Sequence, residues 1–366
     1  MESILNGLKK IIIIEIKGVF MKKALITGIR GQDGAYLSKL LLEKGYEVYG
    51  ADRRSGDSSL WRLKELGIDG KIKHIYMDLL EYSNIVEVIR EIKPDEIYNL
   101  AAQSFVAASF KQPILTSEIN AIGVLRILEA VRVFSPKTKV YQASTSEMYG
   151  KVQSIPQNEK TPFYPRSPYA VSKLFAHWIS LNYREAYDLF ICSGILFNHE
   201  SPLRGIEFVT RKISYTVARI ACGFDEKLIL GNLDSKRDWG YAKEYVYGMY
   251  LMMQHERPDD YILATGETHT VREFVENAFN VVGIEIVWEG KGVDEKGYDK
   301  KTGKLLVEVS KDFYRPSEVD ILIGDATKAF EVLKWKADVK FNELVKIMVE
   351  ADLERIRRNN VTFDVD

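Results

Sequence analysis

Cysteine is scarce. Cys192 and Cys222 are the two in 366 residues, and both sit in apolar surroundings. They read as buried thiols of a reducing, cytoplasmic protein and leave no basis for a disulfide framework. The five histidines form no Cys/His cluster at zinc spacing, so no metal is expected. Neither sign of charge is in excess. A net charge of −1 gives no electrostatic reason to expect nucleic acid or an anionic membrane as partner. Long apolar runs are also missing. Ile11–Ile14 is interrupted by Glu15 and Lys17 and no small-residue cleavage site follows, which is too short for a span and poor as a signal peptide. Residues 1–20 read as an extension without function, with an added edge strand as the alternative. Internal repeats and low-complexity segments are absent.

What remains is an ordinary globular composition, 46% hydrophobic and 28% charged, long enough for a large domain with a smaller lobe. Strand and helix signals alternate through the first half. Ala24–Thr27 is a strand-forming run. It leads through Gly28-Ile29-Arg30-Gly31-Gln32-Asp33-Gly34 into a periodic stretch, Tyr36, Leu37, Leu40, Leu41, Leu42. A glycine-rich turn between strand and helix lets backbone amides approach a pyrophosphate, and the helix N-terminus favours the anion. The spacing Gly-x-x-Gly-x-x-Gly differs from the commoner Gly-x-Gly-x-x-Gly. Tyr46–Ala51 is the next strand, ending in Asp52-Arg53-Arg54. An acid there can bond an adenosine 2′-hydroxyl and an Arg can meet a 2′-phosphate, so NADP and NAD both remain open.

Ile72–Met77 runs into Asp78-Leu79, a place to hold an adenine. Asn84–Ile92 is helical and Pro94 stops it. Glu96–Leu100 leads into Ala101, Ala102, Gln103 and Ser104, small enough for the chain to pass close to a cofactor. Leu115–Phe134 reads as one long amphipathic helix, followed by the strand Lys139–Ala143. This rhythm specifies an α/β fold: a Rossmann-type, doubly wound parallel sheet with its site at the carboxyl ends of the strands. We expect residues 21–197 to form mainly that domain. Residues 198–358 should form mainly a smaller mixed α/β lobe, with some chain returning to the sheet, and 359–366 a tail.

The chemistry concentrates between Ser144 and Lys173. Thr145 sets a hydroxyl two residues from the Glu147 carboxylate, just past a strand. Pro156, Pro162, Pro165 and Pro168 punctuate a loop, and Tyr169 opens a helix running to about Tyr187. Tyr169 and Lys173 share one helix face. An ammonium near a phenol favours phenolate and should lower the Tyr pKa from about 10, making a base near neutral pH. Farther on, Thr270–Val282 and Phe341–Arg357 read as amphipathic helices. Lys291–Lys304 reads as a hairpin or mobile insert.

Gly28-x-x-Gly31-x-x-Gly34 with Tyr169-x-x-x-Lys173 and an upstream Ser/Thr resembles the extended short-chain dehydrogenase/reductases. Longer strings narrow the resemblance to the GDP-mannose 4,6-dehydratase family: Thr27–Gly34, Gln142–Gly150, Thr161–Tyr169, Gly194–Pro202, Phe208–Ile213, Gly231-Asn232, Lys236–Gly240 and Tyr314–Asp320. The resemblance covers roughly residues 22–355. It departs at Arg30, where the family often has Thr, and at Asp52, where it commonly has an apolar or neutral residue. The resemblance implies a lyase that takes GDP-mannose to its 4-dehydro-6-deoxy product by oxidation at C4, loss of water across C5–C6 and reduction at C6. Its recycled cofactor would be NADP, with Arg53 facing the 2′-phosphate, or NAD, given Asp52. Thr145, Glu147, Tyr169 and Lys173 would be catalytic. Cofactor contacts would come from residues 28 and 30–34, Arg53, Asp78, Leu79, Leu100, Ala101, Ala102, Gln103, Ser104, Tyr169, Lys173, His199 and Arg204. Ser104 from the first domain would meet substrate together with Asn198, Lys212, Arg237, Arg315 and Glu318 of a nucleotide-sugar lobe. A homotetramer or dimer is implied, with the Arg53–Ser59 loop near a neighbouring subunit. A GDP-manno-heptose substrate, a nucleotide-sugar epimerase and a non-catalytic nucleotide sensor are the competing readings.

Overall fold

Strands covered by helices on both faces must be apolar on both faces, and the strand runs of the first half are, except the largely exposed edge run Lys73–Tyr76. The computed structural model describes residues 21–54, 59–313 and 321–358. Seven strands form one sheet: β1 Lys23–Thr27, β2 Glu47–Asp52, β3 Lys73–Tyr76, β4 Glu96–Asn99, β5 Lys139–Thr145, β6 Ile191–Leu196 and β7 Asp260–Leu263. Their order is β7-β6-β5-β4-β1-β2-β3, and every neighbouring pair is parallel. β4 and β6 are buried at each position. The order reverses between β1 and β4, so a crevice opens at the carboxyl ends of those two strands.

One face of the sheet is covered by the helices Gln32–Glu43 and Ala242–Gln254, which bury Leu37, Leu41, Met249 and Met252 with Tyr98 and Trp335. On the other face lie Tyr82–Ile92, Gly123–Phe134 and Pro168–Tyr187, burying Ile89, Leu128, Val131 and Ala176. Each such side chain contributes about 1.5–3 kcal/mol of transfer free energy, less for alanine.

A second core lies beyond residue 198. The helices Val209–Ala221, Val271–Val281 and Phe341–Arg357 pack Ile213, Phe274, Phe279, Leu344 and Met348 against Val307. Val307 belongs to a four-stranded sheet built from Ile286–Glu289, Lys296–Asp299, Leu305–Val309 and Leu228–Leu230. Lys296–Asp299 and Leu305–Val309 pair antiparallel, so the charged Lys291–Lys304 stretch is a hairpin. Thr270 and Glu273 form a reciprocal capping box at the start of Val271–Val281, which is the local reason for that helix's boundary. Two later elements, β7 and Ala242–Gln254, return to the first sheet. Arg211 and Arg355 both bond the fully buried Asp352, at 2.6 and 3.2 Å. Among the described residues no helix is long and apolar enough to cross a membrane.

One element differs from expectation. Leu115–Phe134 is not a single α-helix. Pro113–Ser117 gives way to a π turn, Glu118–Ile122, before Gly123–Phe134 begins. The extra residue of a π turn leaves Asn120 buried with its side chain bonded to the Gln103 backbone on both sides. Amphipathic periodicity does not register a one-residue insertion. The 1–20 extension, residues 55–58 of the loop assigned to a neighbouring subunit, Tyr314–Asp320 with Arg315 and Glu318, and the tail 359–366 lie outside the described residues.

Candidate functional site

β1 delivers Thr27 to the crevice, and the chain turns sharply at Gly28, which has φ +72°. A Cβ there would lie 2.9 Å from the Ala101 backbone nitrogen, and one on Gly34 would lie 2.5 Å from the Gly28 carbonyl. Only glycine lets the turn close against the end of β4 and against its own helix. The Gly31 N–H donates to the Gly28 carbonyl at 3.0 Å. Gln32–Glu43 then starts without a side-chain cap, leaving first-turn amides to meet an anion in the crevice.

A chain of buried polar groups ties the ends of β1 and β4 to the middle of β5. The Thr27 hydroxyl donates to Asn99 at 2.7 Å and accepts the Leu100 and Ala101 amides at 3.0 Å each. Asn99 in turn donates to Gln142 at 2.8 Å. Leu100 and Ala101 therefore have fixed amides and half-buried side chains. Ala102 is half-buried and Ser104 exposed. Gln103 is held through its amide by Asn120 at 2.8 Å, and its side-chain oxygen is buried with no hydrogen-bond partner among the described residues.

The turn also reaches toward the second lobe. Asp33 bonds His199 Nε2 at 2.8 Å. Gln32 donates to the His199 carbonyl at 3.1 Å and accepts from Ser201 at 2.6 Å. Burial alone would raise Asp33, but His199 and Gln32 hold its carboxyl below the usual range. Burial alone would lower His199, and Asp33 outweighs it and holds the imidazolium up. The His199 ring stacks on Tyr245 at 4.7 Å. Arg204 pairs with Glu200 at 3.1 Å and lies over the Phe208 ring.

The acid–base groups come from β5 and the helix Pro168–Tyr187. Thr145 ends β5, and its hydroxyl accepts the Glu147 amide at 3.3 Å, which folds Ser146–Met148 into one tight turn. Ser167 caps the helix by accepting the Ala170 amide at 3.1 Å, and Pro168 occupies its first turn. Tyr169 is thereby in the first turn and Lys173 in the second. Thr145, Glu147, Tyr169 and Lys173 are all buried. The expected lowering of the phenol is corrected. Burial pushes Tyr169 up to about 12, with the Thr145 hydroxyl opposing and Glu147 adding to the rise. Burial also pulls Lys173 down to about 8. Desolvation disfavours both charged forms, and helix spacing carries no information about desolvation. Arg204 and Asp33 also act on the Tyr169 phenol, so the glycine turn, β5 and the second lobe converge on it.

The remaining candidate residues each have local surroundings of their own. Asp78 accepts the Leu80 amide at 3.0 Å and donates its own amide to Asn84 at 2.9 Å. Leu79 is buried, and a Cβ on Gly123 would lie 2.9 Å from it. Arg53 is exposed, while Arg30 forms an ion pair with Asp52. Asn198 Oδ1 is buried without a hydrogen-bond partner among the described residues. Lys212 lies 3.7 Å over the Phe313 ring, and burial lowers its ammonium. Arg237 is buried and donates to the Lys236 carbonyl at 2.8 Å. Sequence reasoning missed Asn120 and the Thr27–Asn99–Gln142 chain. The available signal was a polar residue closing two apolar strands (Thr27, Asn99), one Gln inside a third (Gln142) and one Asn inside the apolar run Ile119–Ile122.

The family model described as GDP-mannose 4,6 dehydratase matches residues 25–348. Among curated relatives, the human GDP-mannose 4,6 dehydratase is 55% identical over 344 residues, covering 92% of each chain. The Sinorhizobium fredii GDP-mannose 4,6-dehydratase is 52% identical over 343 residues, covering 92% of this chain and 98% of that one. Among solved structures, a dTDP-glucose 4,6-dehydratase from Streptomyces venezuelae with NAD bound is similar with a TM-score of 0.77 at 22% identity, covering 93% and 99% of the two chains. The protein named RMD from Pseudomonas aeruginosa, complexed with NADPH, gives a TM-score of 0.71 at 20% identity, covering 92% and 100%. At these identities the structural likeness shows the fold alone.

Proposed function

The chain belongs to the GDP-mannose 4,6-dehydratase family, and we propose that it converts GDP-α-D-mannose to GDP-4-dehydro-6-deoxy-α-D-mannose and water with a recycled nicotinamide dinucleotide. The glycine turn suits that group. Cβ atoms would block Gly28 and Gly34, and the uncapped helix start beside them offers amides to a pyrophosphate. Gly28, Gly31, the Gln32–Gly34 segment, Leu100 and Ala101 would hold it, with Asp78 and Leu79 at the adenine. When bound, it supplies reversible acceptance of hydride from C4 and its return to C6.

The chain's own groups move the protons. Tyr169 takes the C4 hydroxyl proton as C4 is oxidised, and Thr145 orients the C4 oxygen. A phenol at about 12 keeps its proton at neutral pH unless a cation draws it down. Lys173, at about 8, is still mostly ammonium there and stands one turn away. The C4 ketone makes the C5 proton acidic, and Glu147 removes it. The same carboxyl then protonates the departing C6 hydroxyl, which leaves as water, and the proton that Tyr169 took from the C4 hydroxyl is delivered to C5. The cycle is redox-neutral and its net loss is one water. Asn198, Lys212, Arg237, Arg315 and Glu318 would meet the sugar nucleotide, the cations by charge-assisted bonds to its diphosphate.

Glu147 carries this reading. It is a buried carboxylate beside Thr145 that acts on the Tyr169 phenol. A redox-neutral epimerase needs no such acid. With GDP-mannose the purified protein should release a product lighter by one water and accumulate no reduced nicotinamide. Glu147→Gln should lower that rate by about 10²–10⁴-fold while substrate affinity is retained. A variant that forms the product at near wild-type rate would remove Glu147 from the mechanism.

A further inference from the structure

We propose that His177 is a positioning residue of this site: through Ser144 it fixes the carboxyl end of β5 on the helix Pro168–Tyr187, and so sets Thr145 against Tyr169. The inference rests on the reaction proposed above and adds two residues to which that reaction gives no step.

The end of β5 needs such a tie. From Val140 to Gln142 the strand is paired on both sides, with β4 and with β6. β4 then ends, its Asn99 opposite Gln142. Ala143, Ser144 and Thr145 pair with β6 alone among the described strands, opposite Gly194, Ile195 and Leu196. One edge of the backbone ladder is therefore missing where the strand carries Thr145 and leads into Glu147.

The helix supplies the restraint. Tyr169, Lys173 and His177 follow one another at intervals of four, so they lie along one helix face, and all three are buried. The first two are the groups assigned to the chemistry. The third reaches β5. His177 Nδ1 lies 3.1 Å from the Ser144 hydroxyl, and both residues are 4% exposed. Burial lowers the imidazole below its ordinary range, with Asp260 opposing and Arg184 assisting. A neutral ring keeps one N–H and one acceptor nitrogen, and a hydroxyl can serve either, so the bond forms in both tautomers. The ring is also held in place. Phe163 meets it edge-on at 5.4 Å and Trp178 at 5.5 Å. Phe163 packs in turn on Tyr149 at 4.9 Å, just past the Ser146–Met148 turn.

The same strand and helix are joined again one residue on. Thr145 follows Ser144, and its hydroxyl hydrogen-bonds the Tyr169 phenol. The two bonds cross one junction, and their helical ends are eight residues, or about two turns, apart. The outer bond belongs to the reaction. The inner one keeps the strand end from shifting along the helix. Without it Thr145 loses its fixed place beside the phenol, and a displacement of about 1 Å at reacting groups can cost about 10²-fold in rate.

The test is steady-state kinetics of GDP-mannose dehydration read by product mass, with substrate and dinucleotide affinities from calorimetric titration. Ser144→Ala and His177→Leu should each lower kcat by about 10–100-fold, while KM and both affinities stay within about twofold. The double variant should be no slower than the slower single, because either change alone removes the same bond. His177→Asn, whose side-chain amide reaches the position of Nδ1, should recover most of kcat. A residue that served folding alone would show neither the split between kcat and KM nor this rescue. If His177→Leu does not fold, Ser144→Ala against His177→Asn decides: the first should be slow and the second fast, and equal rates would overturn the proposal. Losses below about twofold in both single variants, or losses that multiply in the double variant, would also overturn it and leave the reaction standing. A wild-type protein that does not dehydrate GDP-mannose would overturn both.

Discussion

Replacing Lys173 should make the protein more stable and nearly inactive at once. Lys173 is buried, and burial takes its ammonium from the ordinary 10.5 to about 8. Each pH unit of such a fall corresponds to about 1.4 kcal/mol, so keeping the charged form folded at pH 7 costs about 3 kcal/mol. The unfolded chain binds the proton up to about pH 10.5 and the folded one only to about pH 8. Stability therefore rises with pH between those values as the penalty is released. Lys173→Met keeps the apolar stem, drops the charge and removes the penalty. On nucleotide-free protein at pH 7 the melting temperature should rise by about 5 °C, and the gain should shrink toward zero as the pH approaches 10. Turnover of GDP-mannose should fall by about 10²–10⁴-fold. Differential scanning calorimetry across pH 6–10 reads the first effect, and product mass the second. A variant that melts below wild type at pH 7, or whose gain does not shrink with pH, would refute the assignment of a desolvated ammonium at this position.

Other outcomes follow from the same geometry. Tyr169→Phe should lower kcat by about 10²–10⁴-fold with little change in KM, because the phenolic proton is used only during the reaction. Gly28→Ala meets a left-handed φ of +72° and the Ala101 amide at 2.9 Å. Calorimetric titration should find dinucleotide affinity lowered at least about tenfold, with the fold retained by circular dichroism. Asp352→Ala leaves Arg211 and Arg355 facing each other in the interior without the carboxylate that accepts from both. Urea unfolding should find a loss of about 3–5 kcal/mol.

Much of the site was legible in the chain because its signals are local. The glycine turn follows from φ requirements inside seven residues, and Tyr169 and Lys173 sit in the first turns of the helix that follows the proline-rich loop, although the helix begins one residue earlier, at Pro168 behind the Ser167 cap. The uninterrupted periodicity of Phe341–Arg357 matches the helix to the residue. The π turn at Glu118–Ile122 leaves no mark in the periodicity, because its Asn120 is held by Gln103 across a gap of 17 residues. Arg30 and Asp52 each stood out as departures from the family pattern. That they face each other depends on the pairing of β1 with β2.

The sequence by itself determined the strand–turn–helix order, the parallel sheet and the residue types that converge at its carboxyl edge, since periodicity, glycine spacing and capping act over a few residues. The tertiary structure alone decided the charge states and partners. Burial raised Tyr169 and lowered Lys173, and distance coupled Asp33 to His199 and Arg30 to Asp52. Desolvation and Coulomb energy depend on what surrounds a group in space, and neither can be read from its neighbours along the chain.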